Sequence, residues 1–199
     1  EIIDIIQETT SPDLDIKTFR LKFENGKGMD FMPGQFVQLS IPGVGEATFG
    51  FSSSPLVKDY IELTIKKVGV VTEAVHSLKV GDFVWIRGPF GNTFPVDKFE
   101  GSKIFIVAGG LGLAPLRPLI KYIFGNRDKF KEVEMLLAAR TPEDHVFRWE
   151  LEDWRATKDT KITLTIDRPV EGWNEKVGFP HILVQDMDVD VNNTYAVLC

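Results

Sequence analysis

The sequence predicts a β-barrel domain plus an α/β domain: an antiparallel barrel over residues 1–100, then an open parallel sheet over residues 101–199. Three observations carry this. In the first hundred residues apolar and polar side chains alternate in short runs separated by glycine and proline. After Gly101 the runs become continuously apolar and alternate with segments of helical period. A glycine-rich loop closes the first of those runs, where an open α/β sheet places its ligand loop.

Element by element, Phe19 to Phe23, Phe36 to Ile41 and Ile61 to Ile65 alternate with period two and read as half-buried strands. Met32-Pro33-Gly34, Pro42-Gly43, Ser54-Pro55, Gly81-Asp82 and Gly88-Pro89-Phe90-Gly91 read as the turns between them. Val71, Val75 and Leu78 fall at helical spacing just after Gly69, which predicts one helix in the barrel. The domain boundary is expected near Phe99 to Ser102. Beyond it, Ile104 to Ala108, Val133 to Ala138, Ile162 to Ile166 and Tyr195 to Leu198 read as parallel strands. Helices are expected from Pro115 to Phe124, over Glu143 to Trp154, and briefly at 179–186.

Composition excludes several classes. Fifteen Phe and four Trp in 199 residues, 43% of them hydrophobic, cannot stay solvated, so the chain folds. No stretch approaches the roughly 18–20 apolar residues of a membrane span. Cys199 is the single cysteine, so no internal disulfide forms, and three scattered histidines (His76, His145, His181) give no zinc-ligand spacing. The net charge of −6 is spread over both halves, 10 basic and 14 acidic residues in 1–100 against 13 and 15 in 101–199, which argues against nucleic acid. The acidic N-terminus lacks the basic region of a signal peptide, and the whole reads as a cytoplasmic protein. Asp186, Asp188 and Asp190 read as a solvated loop, and no metal site is expected.

The loop Gly109-Gly110-Leu111-Gly112-Leu113-Ala114-Pro115 carries the strongest chemical signal. Its glycines permit a sharp turn and close approach of a pyrophosphate to the free amides of a helix N-terminus. Pro115 suits a first helical turn, where no amide donor is needed. The ends of the next two strands, Arg140-Thr141 and Asp167-Arg168, lie where open sheets bind ligands. Arg140 favours a 2′-phosphate while Glu143 and Asp144 disfavour one, so the sequence leaves NAD and NADP both open.

Read in order, Pro33-Gly34-Gln35-Phe36-Val37, Phe51-Ser52-Ser53-Ser54-Pro55, Gly69-Val70-Val71-Thr72 and the Gly109 to Pro115 loop resemble the ferredoxin–NADP reductase superfamily across the whole chain. Ser52 to Pro55 together with Arg140-Thr141-Pro142-Glu143-Asp144 is most similar to gamma (diaphorase) subunits of cytoplasmic nickel–iron hydrogenases and sulfhydrogenases, and to related sulfite and heterodisulfide reductase subunits. The resemblance implies FAD on the barrel and NAD(P) on the second domain. It places Phe49 against the isoalloxazine, the Gly50 backbone near flavin N5, and Phe51, Ser52 and Ser53 in the same segment. Thr64, Ile65 and Lys66 fall beside the ribityl and adenylate portions, and Gly69, Val70, Val71 and Thr72 on the phosphates. Gly109, Gly110, Gly112, Leu113, Ala114 and Pro115 fall on the nicotinamide dinucleotide, and the strand-end residues Arg140, Thr141, Asp167 and Arg168 are expected to meet its phosphate or adenine ribose. Cys199 matches a cysteine beside the nicotinamide and flavin rings, and is the catalytic residue that the resemblance implies. Two positions depart from the pattern: Ala47 replaces a phosphate-binding arginine, and Gly50 replaces a serine.

The activity implied is hydride transfer between NAD(P)H and FAD, with single electrons passed to an iron–sulfur subunit and a catalytic subunit of a larger complex. A 2Fe-2S cluster is implied in a cysteine-rich tail beyond Cys199, where the chain is expected to continue. The rival readings are the electron-transfer subunit of a dihydroorotate dehydrogenase, and a docking subunit that has lost flavin.

Overall fold

In the computed structural model, which describes residues 1–24, 28–187 and 189–199, the chain forms two compact units. The first comprises Glu1–Phe94 with Ala114–Tyr122, and the second Pro95–Leu113 with Ile123–Cys199.

The first unit contains β1 (Ile2–Gln7), β2 (Ile16–Leu21), β3 (Phe36–Ile41), β4 (Gly45–Gly50), β5 (Ile61–Lys66), α1 (Val70–Ser77) and β6 (Trp85–Phe90). Two antiparallel three-stranded sheets, ordered β1-β2-β5 and β4-β3-β6, make the barrel-like body. Register follows the period-two pattern: Phe19 lies opposite Ile5 and Leu63, and Leu39 opposite Ala47 and Ile86. One face therefore delivers Ile2, Phe19, Leu21, Val37, Leu39, Ile61, Leu63 and Ile65 to a common core. The other face of β2 and β5 carries Thr18, Arg20, Glu62 and Thr64, and Thr18, Glu62 and Thr64 are buried as well. Buried polar groups require partners, and these have them. Thr18 Oγ1 lies 2.6 Å from Glu8 Oε1 and 2.8 Å from Thr64 Oγ1, which in turn lies 2.8 Å from Ser52 Oγ.

Helix α1 packs Val71, Val75 and Leu78 on that core, as its spacing predicts. His76 is buried in it, with Nε2 donating to the Ile65 carbonyl at 2.9 Å and Nδ1 3.3 Å from Asp15 Oδ2, so it is a structural histidine.

The second unit contains α2 (Val96–Phe99), β7 (Lys103–Gly109), β8 (Val133–Ala139), α4 (Leu151–Ala156), β9 (Thr160–Ile166), β10 (Lys176–Val177), α5 (Pro180–Leu183) and β11 (Thr194–Leu198). Between β7 and β8 the chain runs through a 3₁₀ turn (Gly110–Gly112) and α3 (Leu113–Gly125), whose segment Ala114–Tyr122 belongs to the first unit. Every strand pair is parallel, in the order β10-β9-β8-β7-β11. The continuous apolar runs are explained directly. In β8 all seven residues are buried, and Phe105, Val107 and Leu136 pack against Leu183, Val184, Met187 and Val189.

Three expectations are corrected. Gly88-Pro89 lies inside strand β6 rather than in a turn, at a register irregularity opposite Phe36 to Gln38. Glu143 to Trp154 is not one helix: two 3₁₀ turns (Pro142–Asp144, Arg148–Glu150) precede α4, because Phe147 sits at φ 57 and interrupts the helical path. Strand β11 is largely exposed, with Val197 its one buried residue, because it forms the edge of the sheet. Of the acidic run, Asp188 lies outside the described residues, while Asp190 closes a turn on the Asn192 amide and Asn193 Nδ2.

Candidate functional site

In the first unit the sequence-predicted residues gather at the exits of β4 and β5 and at the start of α1. Phe49 is half-buried against the core. Phe51 is not: its ring is 1% exposed and stacks on Phe31 at 3.8 Å, which makes it a core residue whose backbone alone can face a ligand. Ile65 is likewise a core side chain, and its carbonyl is taken by His76. Thr64 spends its hydroxyl on Ser52 and Thr18, while Lys66 is half-exposed. Ser53 is fully buried with its Oγ unpartnered, an orphaned polar atom of the kind that a bound polar group satisfies.

The α1 turn is built to present amides. The Thr72 hydroxyl accepts the Val68 and Gly69 amides and donates to the Gly69 carbonyl, each at 2.9 Å. The first bond of the helical ladder runs from Glu73 N to Gly69 O, so the amides of Val70, Val71 and Thr72 lie ahead of it. A Cβ added at Gly69 would meet nothing within 4 Å, so the turn faces open space. An anion such as a pyrophosphate fits there. Val70 is 72% exposed and Val71 packs inward, so these two would contribute backbone rather than side chain.

In the second unit β7 has β8 on one side and β11 on the other, which makes its carboxyl end the switch point of the sheet. The structure brings the glycine loop and Cys199 together there. Gly109 N donates to the Cys199 carbonyl at 2.8 Å, and Cys199 N donates to the Val107 carbonyl at 3.0 Å. A Cβ at Gly112 would stand 2.6 Å from Cys199 O and 3.2 Å from its Sγ, so only glycine lets the two segments lie so close. Gly110 has φ +53 and open space around it, and the cysteine is exposed. The result is a bare backbone cradle beside a thiol. Leu113 and Ala114 are buried, so in this loop they too offer only backbone.

Arg140 and Thr141 follow β8, and Asp167 and Arg168 follow β9, one and two strands from β7 at about 4.8 Å per strand. Arg140 is not matched to Glu143: its Nε bonds Asp144 Oδ2 at 3.2 Å, and its side chain stays 58% exposed. Asp144 Oδ1 and His145 Nε2 are buried without partners. Burial, helped by the charge of Arg148, pushes the His145 imidazole down to about 4. Asp167 is half-exposed and Arg168 exposed.

Residues 5–94 match the oxidoreductase FAD-binding domain family and residues 106–199 the oxidoreductase NAD-binding domain family. The sulfhydrogenase 2 gamma subunit of Pyrococcus furiosus is 35% identical over 98% of this chain and 71% of its own length. The chain belongs to the ferredoxin–NADP reductase superfamily. Within this superfamily it is also 40% identical, over 92% of its length, to the P. furiosus sulfhydrogenase 1 gamma subunit, of which it spans 64%. A probable dihydroorotate dehydrogenase B electron transfer subunit of the same organism is 32% identical over 96% of this chain and 67% of that protein. Among solved structures, the cytochrome b5 reductase domain of Ulva prolifera nitrate reductase superposes over all of this chain and 85% of its own (TM-score 0.79, 25% identity). FAD and NAD(P) are thus the cofactors of the two domain types, and the orphaned Ser53 Oγ, the open Gly69 turn and the Gly109–Gly112 cradle fit such groups.

Sequence reasoning missed one cluster beside the segment Phe49–Ser53. Glu62 Oε1 accepts from Arg20 Nε and Nη2 at 3.0 and 2.8 Å, and Glu62 Oε2 from Arg117 Nη1 at 2.6 Å. A signal was available, since Arg117 stands among Leu113, Leu116 and Ile120 on the apolar stripe of its helix.

Proposed function

We propose that this chain works as the diaphorase-type part of a multisubunit redox enzyme, moving hydride between NAD(P)H and FAD and passing single electrons to an iron–sulfur partner. The observation that carries the reading is the glycine cradle with Cys199 at the sheet's switch point, on one chain with a domain of FAD-binding type. FAD accepts a hydride equivalent and releases electrons singly, which is chemistry that no side chain here supplies. The protein's part is binding and orientation. Phe49 would pack on the ring system, with the Gly50 backbone and Ser53 Oγ along its polar edge, and the α1 turn would take the pyrophosphate. Gly109 to Pro115 would hold the nicotinamide dinucleotide, with Arg140, Thr141, Asp167 and Arg168 toward its adenosine. Cys199 would set the nicotinamide's position at the reacting face. The single cysteine makes no disulfide, and no described helix is long and apolar enough to cross a membrane; both support a cytoplasmic setting.

The likeness to sulfhydrogenase gamma subunits favours a hydrogenase-type complex as the partner. A second reading, the electron-transfer role in a dihydroorotate dehydrogenase, is favoured by the likeness to that subunit. Protein reconstituted with FAD should show the flavin's visible absorption band and reduce an artificial dye with NADH or NADPH. No bound flavin after gel filtration would overturn the proposal in favour of a docking subunit, and the identity of the co-purifying subunit decides between the two complexes.

A further inference from the structure

We propose that Arg117 is a positioning residue for the flavin segment Phe49–Ser53, acting through the carbonyl of Ser52. This rests on the flavin reading given above. Every polar group of Ser52 is held. Its amide donates to the Glu62 carbonyl at 2.8 Å, its Oγ lies 2.8 Å from Thr64 Oγ1, and its carbonyl accepts from Arg117 Nη1 at 2.5 Å. The same Nη1 reaches Glu62 Oε2 at 2.6 Å, which closes a ring of bonds through Ser52, Glu62 and Arg117. The side chains of Arg117 and Glu62 are 4% and 2% exposed, so water does not compete for these bonds and the guanidinium geometry is fixed.

A second contact sets the register. A Cβ at Gly50 would come within 3.3 Å of Pro115 Cβ, so Pro115 lies over Gly50 as Arg117 lies at Ser52. The first turn of α3 therefore meets the flavin segment at two points, Pro115 at Gly50 and Arg117 at Ser52. This also gives Gly50 a steric reason. Where the superfamily pattern has serine, a side chain here would press on Pro115 and loosen the alignment that Arg117 maintains.

The test uses the full chain reconstituted with FAD, with visible circular dichroism of the bound flavin, its midpoint potential and NAD(P)H kinetics as readouts. Arg117→Met alone strands a buried carboxylate and threatens folding. The double variant Glu62→Met, Arg117→Met removes both charges, and Arg20 keeps Asp4 at 3.5 Å, so no buried carboxylate is stranded and a cooperative melting transition should be retained. The proposal expects that double variant to bind FAD with an altered dichroism band and potential. Flavin reduction should slow about 10- to 100-fold at unchanged NAD(P)H KM, since small misplacement of reacting groups costs on that scale. Arg117→Lys should recover part of the rate. A double variant that folds with wild-type dichroism, potential and rate overturns the proposal. Wild-type protein that binds no FAD overturns the flavin reading itself, so the two failures are distinct.

Discussion

The glycine loop gives a graded prediction in which three neighbouring positions separate space from conformation. At Gly112 an added Cβ meets the Cys199 carbonyl oxygen at 2.6 Å, which is 0.8 Å short of the 3.4 Å where ordinary contact begins (3.4 minus 2.6). Carbonyl backbone cannot swing aside, so Gly112→Ala displaces the end of β11. The bonds Gly109 N to Cys199 O and Cys199 N to Val107 O are then strained, each worth about 1 kcal/mol. Overpacking adds roughly 1–3 kcal/mol. A loss of about 3–5 kcal/mol lowers the melting temperature by roughly 6–20 °C for a chain of this size. Gly110→Ala meets no atom within 4 Å but must hold φ +53, a cost of roughly 1–2 kcal/mol. Gly109→Ala, at φ −108 with its nearest neighbour 4.0 Å away, should leave stability unchanged. If the loop holds the nucleotide as proposed, the substitution should still weaken NAD(P)H binding, because the methyl group covers backbone that glycine leaves bare. Thermal denaturation and nucleotide titration of the three variants test this. Equal melting temperatures for Gly109→Ala and Gly112→Ala would refute the close approach of loop and cysteine.

Three further outcomes follow from individual sites. His145 has a native pKa of about 4 against 6.5 unfolded, so between those values the unfolded chain takes up the proton and the native one does not. Its share of stability is complete above pH 6.5 and lost as pH falls, by about 3 kcal/mol below pH 4; the denaturant midpoint of His145→Phe should therefore rise relative to that of wild type as pH is lowered from 7 to 4. Phe51→Ala, by emptying a site 1% exposed and stacked on Phe31, should destabilise the protein by roughly 3–5 kcal/mol, and chemical denaturation giving under 1 kcal/mol would contradict the core assignment. Thr72→Ala strands the Val68 and Gly69 amides, which should cost about 1 kcal/mol and weaken FAD binding in equilibrium titration.

Where local pattern and tertiary context agreed, the sequence was legible. Phe36–Ile41 alternates because one face meets the core, and its predicted bounds are those of β3. The Gly69 turn and the strand-loop-helix around Gly109 were legible because glycine placement is a backbone property with a local cause. Strand β6 was misread because Gly88 and Pro89 are ordinarily turn residues. They are tolerated at the edge of the β4-β3-β6 sheet, where a missing amide costs no ladder bond and the register already slips. The helix expected over Glu143 to Trp154 failed at Phe147, whose positive φ carries no signal in residue type.

By itself the sequence determined two successive domain types and the order of their glycine turns, because each follows from period, turn chemistry or a short motif. Tertiary structure decided which side chains those loops leave free. It turned Phe51 and Ile65 inward, set Cys199 against Gly112, and drew Glu62 from one strand and Arg117 from a distant helix onto Ser52. Such pairings depend on contacts far apart in the chain, and a buried charge becomes readable only when its partner is in place.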